Sequence, residues 1–191
     1  MHTLATPASN ANASAPSRSP VGAAAVAEVA DEVAHSSQWL RLTVGDIVYA
    51  LPIEHVREIL QVGRMTTLPR VPPVIRGVMN LRGAVVPVID LGARLTQRPV
   101  AVGRRSCIIV VDLPPQDDRA SLVAGVMVDA VFEVIDVDQA TVSPTPPLGA
   151  PVTAAYLSGV VTAQGRRLHL LDLPRVLSQR ELTELVASHA G

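Results

Sequence analysis

The stretch GVMNLRGAVVPVIDL, residues 77–91, decides how this chain is read. Two apolar runs flank Asn80-Leu81-Arg82-Gly83, the pattern of two strands joined by a tight turn. Extended to Leu95, the stretch can be laid on GVVTAQGRRLHLLDLPRVL, which starts at Gly159, an offset of 82 (159 against 77). Gly77/Gly159, Gly83/Gly165, Asp90/Asp172, Leu91/Leu173 and Leu95/Leu177 then coincide. Earlier, PIEHVREIL lies on MVDAVFEVI at an offset of 75, with Val56 over Val131 and Glu58 over Glu133. The seven extra residues fall in the Pro-rich region SPTPPLGAP. Such a repeat predicts two related small β units, each needing the other to cover its apolar face.

The copies share scaffold and differ at their polar tips. Glycines recur because a tight hairpin needs residues that tolerate positive φ. Asn80-Leu81-Arg82, however, becomes Thr162-Ala163-Gln164. Residue by residue, Arg82 reads equally well as a solvated turn residue or as a side chain displayed for a partner.

Working outward, WLRLTVGDIVYAL from Trp39 alternates and is β-branched, a hairpin turning near Val44-Gly45-Asp46. Pro52 suits a first helical turn in PIEHV, and REILQV returns to strand. VVPVIDL, SCIIVVDL, SLVAGVMVDAVFEVIDV and GRRLHLLDL are further strand candidates. Short strands at close spacing argue for small barrels or a sandwich. Ser178 with Glu181 forms a capping box that opens a C-terminal helix at about 179–189, with Leu182, Leu185 and Val186 on one side. Residues 1–36 are rich in Ala, Ser, Pro and Asn, a disordered arm. Within the arm, VGAAAVAEVADEVAH has the spacing of a transient helix, with Val26, Val29 and Val33 on one face. Residues 37–191 form the folded domain.

Composition excludes several classes. Hydrophobic residues make up 48% and aromatics 2%, so the core is aliphatic. Net charge is −1 and the pI about 6.5, which removes the broad basic footprint of a nucleic-acid binder. No apolar run is long enough to cross a membrane, and the start lacks a signal peptide's features. One cysteine, Cys107, allows no intramolecular disulfide and reads as a small buried hydrophobe before IIVV. A cytoplasmic protein is expected. The five histidines have no ligand spacing with one another or with Cys107, and His169 reads as a strand-face residue. No nucleophile elbow or phosphate loop occurs, so neither enzyme activity, metal nor cofactor is expected. Asp117 and Asp118 read as a solvated loop.

The ordered elements VYALPIEHVREIL, LPRVPPVIRGVMNLRGAVVPVIDL, GVMVDAVFEV and YLSGVVTAQGRRLHLLDL resemble the CheW-like chemotaxis coupling proteins. The resemblance runs from about Trp39 to Leu177. It implies a mainly β fold of two intertwined five-stranded SH3-like barrels, with short helical turns and the C-terminal helix. It also implies a non-catalytic adaptor bridging the cytoplasmic domain of chemoreceptors (methyl-accepting chemotaxis proteins) to the regulatory domain of a CheA-type histidine kinase. Carried onto this sequence, it places Val56, Glu58 and Arg82 on the receptor-facing surface. Gly77 and Gly83 supply backbone geometry there. Asp90 and Asp129 match recurrent acidic positions, read here as strand-end caps or turns. Service in a pilus-based or other non-flagellar array is the alternative within the family. From a different class comes a small ligand-binding β-barrel, disfavoured because few aromatic or polar groups are available to orient a ligand.

Overall fold

The computed structural model describes residues 36–115, 121–145, 154–163, 165–178 and 180–182. Strand β1 (Ser36–Val44) buries Leu40, Leu42 and Val44 and leaves Arg41 and Thr43 half-buried, as its alternation requires. It turns through Gly45 (φ +58) into β2 (Ile47–Pro52), pairing from Trp39↔Pro52 to Val44↔Ile47. Pro52 differs from its expected role. Still paired with Trp39, it stays extended and is the N-cap of the 3₁₀ turn Ile53–His55 rather than its first helical residue.

The chain continues through β3 (Val56–Gln61), β4 (Ile75–Leu81), β5 (Ala84–Asp90) and helix α1 (Leu91–Thr96). Then come β6 (Cys107–Leu113), β7 (Leu122–Val128), β8 (Ala130–Asp138), β9 (Leu157–Ala163), β10 (Arg166–Leu171) and α2 (Leu173–Val176). SLVAGVMVDAVFEVIDV, a single apolar run in sequence, is thus two strands that part at Asp129. The Asp129 N–H donates to the Thr43 carbonyl, and its carboxylate accepts from the Gly45 N–H at 2.7 Å. Tied to the β1–β2 turn there, the chain leaves one sheet and enters the other.

Those sheets have the orders β8-β1-β2-β10-β9 and β3-β6-β7-β5-β4. The repeat is therefore physical, and its copies are interlocked. Hairpin β1–β2 of the first copy joins β8, β9 and β10 of the second, while hairpin β6–β7 joins β3, β4 and β5. Registers match residue for residue. Gly77 faces Val88 and Ile75 faces Ile89 across a bulge, as Gly159 faces Leu170 and Leu157 faces Leu171. Parallel pairing of Val88 with Gly125 repeats as Leu170 with Ala50. The result is mainly β, two five-stranded sheets of the SH3-like barrel kind.

Three apolar clusters follow from strands buried on both faces. The largest takes Leu42, Tyr49 and Leu51 from one sheet and Ile89, Ile109 and Val126 from the other. A second holds Trp39, Ala50, Leu168 and Leu170 within the first sheet. The third holds Val88, Val100, Ile108 and Met127 on the second. Tyr49 and Leu51 serve the shared core while Ala50 between them serves its own sheet, so the strands read as continuous apolar runs. Burying each such large side chain is worth about 1.5–3 kcal/mol.

At the C-terminal end residues 180–182 are helical, and the Leu182 N–H donates to the Ser178 carbonyl. The rest of the expected helix at 179–189 lies outside the described residues, as do residues 1–35 of the arm, the Asp117-Asp118 loop and Gln164. Glu181 has a different job from a capping box. Its carboxylate accepts from the Arg94 guanidinium at 2.5 Å and from the Tyr156 hydroxyl at 3.0 Å. Burial pushes the Glu181 carboxyl up, but those two hydrogen bonds and the Arg94 charge outweigh it and leave it below its ordinary value. The Arg94 Nε also donates to the Val176 carbonyl at 3.0 Å, so α1 and α2 are clasped together.

Candidate partner-binding site

Leu81 and Ala84 close the β4–β5 hairpin, leaving Arg82 and Gly83 as a two-residue loop. Both have positive φ, +53 and +92, the backbone of a type I′ turn. The Asn80 side-chain oxygen accepts from the Gly83 N–H at 2.9 Å and locks the turn. Gly83 pays nothing for its φ. Arg82 does: a non-glycine residue in the left-handed region costs about 1–2 kcal/mol. Its side chain is 81% exposed and contacts Glu58, Nη2 to Oε2 at 3.2 Å.

Glu58 lies on β3, at one edge of the second sheet, whereas Arg82 ends the hairpin forming the other edge. The ion pair therefore joins the two edges across the open end of a barrel. Beside it, Arg57 pairs with Asp112 at 3.4 Å. Ile59 and Val85 are 45% and 70% exposed. Of the three residues expected to face a partner, Glu58 and Arg82 come together. Val56 does not join them, because it is half-buried against the shared core. Gly77 (φ +144) sits at the β4 bulge, where an added Cβ would land on the Thr66 carbonyl oxygen. Thr66 and Val78 exchange N–H···O bonds of 2.8 and 2.9 Å at that point, so glycine permits the close approach that backs the hairpin.

The two acidic positions act on backbone. Asp90 is fully buried, accepts from the Ala93 N–H at 2.8 Å to cap α1, takes the Val100 N–H, and faces Arg76 at 3.4 Å. Asp172 repeats the cap on α2 through the Arg175 N–H. Cys107 is 8% exposed in the shared core, and burial pushes its thiol up. His169 stands beside Tyr49 in the β2–β10 pair, ring centroids 5.7 Å apart. Its Nδ1 and the Tyr49 hydroxyl are buried and have no hydrogen-bond partner among the described residues.

A family model, CheW-like domain, matches residues 38–181. The chain belongs to the CheW-like family. It is 30% identical over 161 residues to chemotaxis protein CheW of Klebsiella aerogenes, covering 84% of this chain and 93% of that protein. To protein FrzA of Myxococcus xanthus it is 38% identical over 136 residues, covering 70% and 81%. Scaffolding protein TtCheW from Thermoanaerobacter tengcongensis, a crystal structure, superposes with a TM-score of 0.64 at 29% identity, over 72% of this chain and 85% of that one.

Within this CheW-like fold, a second polar end escaped the reading of the sequence. Glu133, which takes the place of Glu58, pairs with Arg41 at 2.9 Å, and the Arg41 guanidinium lies over the Phe132 ring, 5.2 Å from its centroid. Arg166 and Arg167 stand nearby on β10. The signal was available. The offset of 82 sets these two arginines against Ala84 and Val85, a polar-for-apolar exchange in the scaffold rather than at the tip.

Proposed function

We propose that this chain is a non-catalytic adaptor of a chemosensory array, coupling the cytoplasmic tips of chemoreceptors to the regulatory domain of a CheA-type histidine kinase in the cytoplasm. Among the described residues no helix is long and apolar enough to cross a membrane. The relatives named chemotaxis protein CheW and the scaffolding protein TtCheW support the reading. The observation that carries it is Arg82: an exposed arginine kept at a φ that glycine or asparagine would occupy more cheaply, and set against Glu58. An exposed pair of this kind returns only about 0–1 kcal/mol to folding. The pair thus offsets the strain only in part, which supports a side chain displayed to be read. Glu58 orients the guanidinium toward the receptor. Val56, packed on the shared core, holds β3 in place beneath them.

Arginine is among the residues that dominate interfaces, with truncation costing about 2 kcal/mol or more. Arg82→Ala is therefore expected to weaken binding of the receptor's cytoplasmic hairpin at least tenfold while leaving the thermal midpoint nearly unchanged. Titration and melting of the same preparation check both. Unchanged affinity would remove the recognition role, and a collapsed midpoint would make Arg82 structural. Val56→Ala should do the reverse of Arg82→Ala, lowering the midpoint first.

A further inference from the structure

The open end of the first barrel forms a groove of about 350 Å³. Its apolar floor includes Val48, Phe132, Ile135 and Leu168, and its charged lining is Arg41, Arg166, Arg167 and a single carboxylate, Asp136. With Glu133 beside Arg41, three guanidiniums meet two carboxylates, a local excess of positive charge carried by Arg166 and Arg167 in a chain whose net charge is −1. Arg41 is held over Phe132 and against Glu133. Among the described residues, neither Arg166 nor Arg167 forms an ion pair.

The fold does not ask for these arginines. Ala163 and Arg166 close one hairpin as Leu81 and Ala84 close the other, and Arg41 pairs with Ala50 where Val110 pairs with Gly125. The second barrel thus puts Val110, Ala84 and Val85 in these three places. Phe132 is 45% exposed and stands on β8, an edge strand. Large apolar side chains left in water beside unpaired cations mark a surface built for a partner.

We infer that this groove is a second docking site, distinct from the Arg82 tip, for an acidic peptide segment of a partner protein carrying a large apolar side chain. The apolar side chain lies on Phe132 and Ile135, and flanking carboxylates meet Arg166 and Arg167 in charge-assisted, bidentate hydrogen bonds. The site rests on no reading of Arg82.

The test uses the full chain and a fluorescein-labelled octapeptide of two leucines flanked by aspartates and glutamates, followed by anisotropy. Its counterpart replaces every acid with the matching amide. The acidic peptide should bind, weaken several-fold as salt rises from 50 to 300 mM, and bind at least tenfold more tightly than the amide peptide. The double variant Arg166→Ala/Arg167→Ala should lose at least tenfold with an unchanged melt, and Phe132→Ala several-fold. Arg166→Lys/Arg167→Lys should retain part of the affinity, and Arg82→Ala all of it. Equal binding of both peptides, full binding by the double alanine variant, or none by the native chain at about 1 mM peptide would each overturn the proposal. Self-association of the chain that the double variant abolishes, without peptide binding, would overturn it in favour of a second copy as occupant.

Discussion

At the end of one barrel Arg82 leans across to Glu58; at the matching end of the other, Glu133 occupies Glu58's place and turns instead to Arg41. Hairpins, bulges and parallel seams agree between the two, down to the glycine at each bulge. What differs is the chemistry at each open end. One is spanned by an ion pair mounted on a strained turn, and the other lies open with a basic rim over phenylalanine. Duplicated backbone has been kept because both copies need it to bury the shared core. Side chains at the ends answer to no such demand, so they diverged. Function is best sought where equivalent positions of the repeat disagree.

The largest test breaks the interlocking on which this comparison rests. A fragment of residues 37–98 keeps β1 to β5 and α1 but loses β6 and β7, which stand between β3 and β5, and also β8 and β10, which flank the first hairpin. It should show no cooperative melt by circular dichroism. A sharp transition would mean that the first copy folds alone.

Next come the paired bulges. Gly77→Ala meets both a positive φ and the Thr66 carbonyl, so it should cost about 3 kcal/mol. At Gly159 the obstacle is mainly the Val142 side chain, with the Ser143 carbonyl at 3.0 Å, and Gly159→Ala should cost about half as much. Denaturant titration of both measures the difference, and equal costs would show that the bulges are not under different strain.

A smaller effect lies at the seam between β2 and β10. Burial first, and the charge of Arg167 second, hold His169 below its ordinary value of 6.5. As pH falls, the unfolded chain takes up this proton before the folded one does. The His169 contribution is therefore level above 6.5 and is lost as pH drops from 6.5 toward the folded value. His169→Leu should shrink the fall in melting temperature between pH 7 and pH 5 by a few degrees and also remove an Nδ1 that has no partner among the described residues. An unaltered pH profile would take His169 out of the acid response.

Smallest is the turn itself. Arg82→Gly relieves about 1 kcal/mol of backbone strain and forfeits a pair worth about 0–1 kcal/mol. The melting temperature should stay level or rise by roughly 2 °C, while receptor affinity falls as in Arg82→Ala. Gln164→Ala should change neither. A clear drop in stability for Arg82→Gly would show that the ion pair holds the barrel end shut.

Much of this was written in the residues. The offsets of 75 and 82 located both hairpin units because apolar strand residues and turn glycines recur for a shared physical reason. Glu58 and Arg82 were legible as a pair through the family's motif. Val56 was harder, since strand alternation places it beside Glu58, whereas the bulge between Val56 and Glu58 sets it on the shared core. Asp129 was legible as a strand end, but the change of sheet there was not, because both strands are apolar and the ties that turn the chain go to distant Thr43 and Gly45. Glu181 was read locally as half of a capping box, but its carboxylate went to Arg94, 87 positions away.

The order of the strands also sets a schedule for the growing chain. The second sheet is made of consecutive strands, β3 to β7, and has all its parts once residue 128 has been made. The first sheet begins with β1 and β2 and lacks its remaining strands until β8 to β10 follow, ending at Leu171. At about 5–20 residues per second, the interval from Pro52 to Ala130 lasts roughly 4–16 s on the ribosome. For that time the hairpin that carries Leu42, Tyr49 and Leu51 is a two-stranded ribbon with both edges unclaimed. Two-stranded ribbons are marginal in water. The strands made first are thus among the last to be closed into a sheet, and the early hairpin is the part of this chain most exposed to mispairing while it is being made.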